Sequence, residues 1–169
     1  MSTPCFKRFL NSINKKNKKN VIVYLNKVIW RLDKQEELFV YGKNINNYVN
    51  KESIEIIKEL SNKNHKIHLI SDSDNSTRNY DFIENTFNGI HITSKLVYPC
   101  IMSHFTHFDR ILKNYNDDFI LFDSRNYILE KIKKLYPYST IFWCPKQLTY
   151  HTFKNHKLKK INFPQIKEE

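Results

Sequence analysis

The chain has 169 residues, 40% apolar and 14% aromatic, which is enough for one core and excludes both two full domains and global disorder. With 2 glycines in the whole chain, a Gly-rich phosphate loop and a dinucleotide-binding fingerprint are excluded as well. The net charge of +11 is segregated: residues 1–32 carry eight Lys or Arg and no acid, 131–167 carry nine Lys and no acid, and 33–130 hold eleven basic and fifteen acidic residues.

Residues 1–20 are basic and acid-free, and Phe6, Leu10 and Ile13 fall on one helical face, a pattern shared by organellar targeting segments and flexible basic extensions. VIVYL at 21–25 is a continuous β-branched and apolar run, as a strand buried on both faces of a parallel sheet requires. KESIEIIKEL at 51–60 sets Ile54, Ile57 and Leu60 on one face of a helix. KIHLI at 66–70 reads as the next strand, Thr77 to Phe87 as a helix, GIHIT with KLVY at 89–98 as one or two short strands, and 104–114 as a further helix. DFILF at 118–122 is a strand, NYILEKIKKL at 126–135 a helix with Leu129, Ile132 and Leu135 aligned, and STIFW at 139–143 the last strand. Five strands alternating with helices predict an α/β fold, a doubly wound, mostly parallel sheet with helices on both faces. The domain is expected over 21–160, with 161–169 as a C-terminal tail.

No apolar run reaches the ~20 residues of a membrane span, and Cys5, Cys100 and Cys144 cannot all pair within one chain. The expectation is a soluble protein of a reducing intracellular compartment, the cytoplasm or a mitochondrial or other organellar matrix. In a doubly wound sheet, chemistry sits beyond the carboxyl ends of the strands, where strand order reverses. Those ends are Tyr24 with Asn26 and Trp30, Ser71 with Asp72, and Asp123 with Ser124. Serine hydroxyls and carboxylates suit a phosphate and a hard divalent cation, and they are equally ordinary loop and cap residues.

The order of these elements and their local strings resembles the haloacid dehalogenase superfamily, specifically its small magnesium-dependent phosphatases. VYLNKVIW at 23–30 is similar in spacing to their F-D-x-D-x-T-L-W motif, with Trp30 in the place of the family's Trp. HLISDSD at 68–74, VYPCIMSHFTHFDRIL at 97–112, ILFDSRNYILEKIKKLYP at 120–137 and KQLTYHTFKNHKL at 146–158 resemble the later segments, so the likeness covers about 21–160. It implies a Rossmannoid domain with the strand at 21–25 central, flanked by the strands ending at Ser71 and Asp123.

For chemistry the resemblance implies losses. The family's nucleophilic Asp corresponds to Tyr24 and its general acid to Asn26, and neither a phenol nor an amide replaces them at neutral pH. The phosphate-facing Thr corresponds to Val28, and the phosphate-neutralising Lys to a position near His104. Ser71 and Asp123 survive, while the second acidic position beside Asp123 is Ser124. Asp123 alone remains where magnesium needs two carboxylates, and Asp72 stands at the place of a family Arg, from which it would have to swing inward to help.

Two readings follow. The first is a pseudophosphatase: a scaffold without nucleophile or acid and without a cofactor, serving as a binding or structural component. Its basic flanks would meet RNA, a ribonucleoprotein such as an organellar ribosome, or a protein complex. Lys154, Lys157, Lys159 and Lys160 would contact phosphates independently of sequence, with Tyr150 and Phe153 either stacking on bases or packing on the core. The second is an active magnesium-dependent phosphatase with an altered site, holding the metal through Asp123.

Overall fold

The computed structural model describes residues 3–14, 18–31, 45–72, 76–98 and 119–154. In chain order these form α1 (Pro4–Asn14), β1 (Asn20–Tyr24), a 3-10 turn (Ile45–Tyr48), α2 (Lys51–Asn62), β2 (Lys66–Asp72), α3 (Ser76–Thr86), β3 (Ser94–Tyr98), β4 (Phe119–Asp123), α4 (Asn126–Leu135), β5 (Thr140–Trp143) and a second 3-10 turn (Tyr150–Phe153). The five strands make one sheet in the order β3-β2-β1-β4-β5, and every pairing is parallel. β1 lies at the centre between β2 and β4, as expected, with Val21 opposite both Ile67 and Ile120. GIHIT does not form a strand: only 94–98 pair, so this stretch yields a single strand, β3. The helix expected over 104–114 lies outside the described residues.

Side chains alternate across a strand, and here the alternation divides the core in two. Val21, Val23, Ile67, Leu69, Ile120, Phe122 and Phe142 face one side, where Ile56, Ile57 and Leu60 of α2, Phe82 and Ile83 of α3 and the apolar face of α1 cover them. Ile22, Tyr24, Ile70, Tyr98, Phe119, Leu121 and Ile141 face the other side, where α4 covers them with Ile128, Leu129 and Ile132. Helices therefore sit on both faces of a doubly wound sheet.

The segment expected as a flexible basic extension carries α1, and its Phe6, Phe9, Leu10 and Ile13 are buried. The reason is local. Four apolar residues at helical spacing cannot stay in water while an aromatic surface lies beside them, and Phe9 meets Phe142 edge-on at 5.2 Å and Phe153 at 5.1 Å. Phe153 and Tyr150, left open between stacking and packing, both pack: they are buried, and Phe153 also meets Phe6, Phe122 and Phe142 at 4.8–5.9 Å.

Two helix faces differ from the expected ones. In α2, Ser53 and Ile56 join Ile57 and Leu60 inside, and Ile54 is half-buried. In α4, Leu135 is 54% exposed, because three-residue steps on a helix of 3.6 residues per turn drift about 60° each and carry the third member off the face. Among the described residues no helix is long and apolar enough to cross a membrane.

Candidate functional site

Strand parity builds the site. Tyr24, Asp72, Tyr98 and Asp123 end β1, β2, β3 and β4 with the same parity as the residues that face α4, so four neighbouring strands present these side chains in one row. Asp72 sits opposite Tyr98 in the ladder and is 3% exposed; it points inward with no swing required. The Tyr24 hydroxyl donates to Asp72 Oδ1 at 2.6 Å.

Arg125, the residue before α4, closes the row. Its Nε donates to Asp123 Oδ1 at 3.0 Å and its Nη2 to Asp123 Oδ2 at 2.9 Å, a two-pronged fork, and its backbone N–H donates to Oδ1 at 2.8 Å. The guanidinium lies 3.6 Å from the centre of the Tyr24 ring, within cation–π range, and interacts with Tyr98 as well. The Asp123 side chain is fully buried and that of Arg125 is 10% exposed, so this is an interior ion pair.

The titration behaviour follows from that burial. Loss of water holds the Tyr24 phenol far above its ordinary range, with Asp72 adding to the rise and Arg125 opposing it. Tyr98 is pushed up to about 12, again chiefly by burial. Burial alone would pull the guanidinium down, but the Asp123 carboxylate beside it more than reverses this and fixes Arg125 as a cation.

A second layer lies around Asn26, which is 3% exposed. Ser71 Oγ donates to its Oδ1 at 3.1 Å, and Ser124 Oγ donates to its backbone oxygen at 3.0 Å. Its Nδ2 is buried with no hydrogen-bond partner among the described residues. The next residue, Lys27, takes φ +67° and is exposed, which lets the chain turn so that Val28, Ile29 and Trp30 all re-enter the core. Val28 is thus a core residue, and Trp30 packs edge-on to Phe82 at 5.9 Å while donating to Thr86 Oγ1 at 3.0 Å. Trp143 Nε1 donates to the Ser124 carbonyl at 3.2 Å and joins β5 to the same end of the sheet.

Five of the positions selected from sequence, Tyr24, Asn26, Ser71, Asp123 and Ser124, therefore gather at one pole. His104 lies outside the described residues. Among the basic residues, Lys154 is exposed at the end of the second 3-10 turn, and Lys157, Lys159 and Lys160 lie outside the described residues. Sequence reasoning missed Arg125 and Tyr98 and misjudged Asp72. Parity was the available signal: counting by twos from Ile22 and Ile70 reaches Tyr24 and Asp72 together.

Magnesium does not fit these residues. Both Asp123 oxygens already accept from a fixed cation, Asp72 accepts a phenolic proton, and the central position offers a phenol far from ionisation. Among the described residues no group of three or more His, Cys, Asp or Glu could hold a metal ion. No protein-family model matches the chain, and no curated protein matches it.

Proposed function

We propose that this chain is a pseudophosphatase of the haloacid dehalogenase type, a scaffold without phosphoryl-transfer chemistry that acts as a binding or structural component. The observation that carries the reading is the Arg125 fork on Asp123, which occupies both oxygens of the carboxylate that a metal-dependent phosphatase would use. The sheet order, with β1 between β2 and β4, agrees with the resemblance of 21–160 to that superfamily. A reaction of this kind needs a nucleophile and a proton donor acting as one unit, and removing one member costs several orders of magnitude. Here Tyr24 is held protonated by burial, and Asn26 has no acidic proton to give.

The binding role rests on the segregated charge. Basic flanks around a mildly acidic body suit a polyanion, RNA or a ribonucleoprotein, met through phosphates without sequence preference, and an organellar ribosome is one assembly with that demand. The test has two arms. Purified protein should hydrolyse an aryl phosphate no faster with magnesium than without it; magnesium-dependent turnover abolished by Asp123→Asn would refute the pseudoenzyme. Affinity for a non-specific single-stranded RNA should fall with salt, with a log–log slope of about 0.7 per phosphate contacted. Changing Lys154, Lys157, Lys159 and Lys160 together to Gln should flatten that slope by about two to three.

A further inference from the structure

Exposed large apolar side chains of the described residues fall mainly in one stretch of the chain. Among them the exposed large apolar side chains are Tyr80 at 36%, Tyr127 at 56%, Leu135 at 54% and Tyr138 at 83%, and three of these four belong to α4 and the turn after it. At 100° per residue, Tyr127, Lys131 and Lys134 share the face opposite Ile128, Leu129 and Ile132, which are buried. Lys133 lies off this face, half-buried, and donates to the Ser139 carbonyl at 2.9 Å, and Glu130 is the one acid of the helix. Lysines in a last helical turn are favoured by the helix dipole, which accounts for Lys133 and Lys134 but for neither tyrosine.

We infer that this outer face of α4, with Tyr138, is a contact surface for single-stranded nucleic acid, the lysines meeting phosphates and the two tyrosines stacking on bases. The inference rests on the polyanion reading above and gives it a location on the folded domain. Charge and ring faces decide the occupant. A second copy of this chain would set lysine against lysine, and an acidic peptide would answer the charge but not two open phenol rings. A single strand supplies anions and π-faces together.

The experiment measures anisotropy of a labelled oligouridine titrated with the full chain across a salt series. Tyr127→Ala with Tyr138→Ala should weaken binding roughly tenfold or more while leaving the salt slope unchanged, since base stacking is lost and phosphate contacts remain. Lys131→Gln with Lys134→Gln should flatten the slope by about 1.4. Unaltered thermal melting of both variants is the control, as exposed substitutions leave stability almost untouched. Wild-type binding that neither pair changes would overturn this surface alone, leaving the Lys154–Lys160 segment as the contact. Absence of salt-dependent binding by the wild type would overturn the polyanion reading, and this surface with it. Affinity lost in the tyrosine variants supports the inference, whereas displacement of the RNA by polyglutamate with no effect of the tyrosine variants assigns the face to an acidic protein and contradicts it.

Discussion

Arg125 supplies at the carboxyl pole of the sheet the positive charge that two interior carboxylates demand. Breaking a buried ion pair from one side leaves the other charge without compensation, so Arg125→Met should cost about 3–5 kcal/mol of unfolding free energy. Arg125→Lys should recover only part of that, because a point charge cannot reproduce a fork spanning Oδ1 and Oδ2. A smaller change tests the neighbouring contact: Tyr24→Phe removes the donor to Asp72 Oδ1 and should cost about 1–3 kcal/mol. Urea midpoints read all three, and a Tyr24→Phe protein as stable as the wild type would deny that contact its weight. At the far end of β2, His68 bonds Ser94 Oγ and Asn20 Oδ1, and burial, aided by Lys66, lowers its pKa to about 4. The unfolded chain then binds a proton between pH 6.5 and 4 that the folded chain refuses, so stability falls as pH drops through that window. His65 is lowered too and acts in the same direction. Replacing His68 by Gln should flatten the decline between pH 6.5 and 4.5 in denaturant titrations; an unchanged slope would assign it elsewhere.

Among the elements, α1 separates what the sequence makes legible from what it does not. Phe6, Leu10 and Ile13 announce a helical face, yet periodicity cannot say whether that face meets a membrane, a receptor or the chain's own core. The answer depends on Phe142 and Phe153, more than 130 positions away. Phe9→Ala should therefore cost about 3–5 kcal/mol, as for a core aromatic, whereas in a flexible extension it would cost nothing measurable. The strands were legible because VIVYL and FILF are apolar throughout, and KIHLI apart from Lys66 and His68, the pattern of a sheet covered on both sides. Leu135 was misread because steps of three look aligned on paper and drift on a real helix. Arg125 was illegible for a different reason. Its role exists only after β1 and β4 pair and bring residue 24 beside residue 123, and no local pattern reports a pairing across about a hundred residues.

For the molecule as a whole, the pole where a doubly wound sheet ordinarily carries its chemistry is closed by its own side chains, while positive charge lies in the outer segments. The two features are complementary. Buried carboxylates are kept only if something inside the fold compensates them, and the Arg125 guanidinium on Asp123 with the Tyr24 hydroxyl on Asp72 does so. Calorimetric titration of magnesium into the full chain tests this most directly. The wild type should show no saturable binding at millimolar magnesium, and Arg125→Met, if folded by circular dichroism, should gain weak binding that a further Asp123→Asn removes. Saturable binding by the wild type that is lost on Asp123→Asn would contradict the account, because it would mean that Asp123 is open to a metal despite the guanidinium beside it.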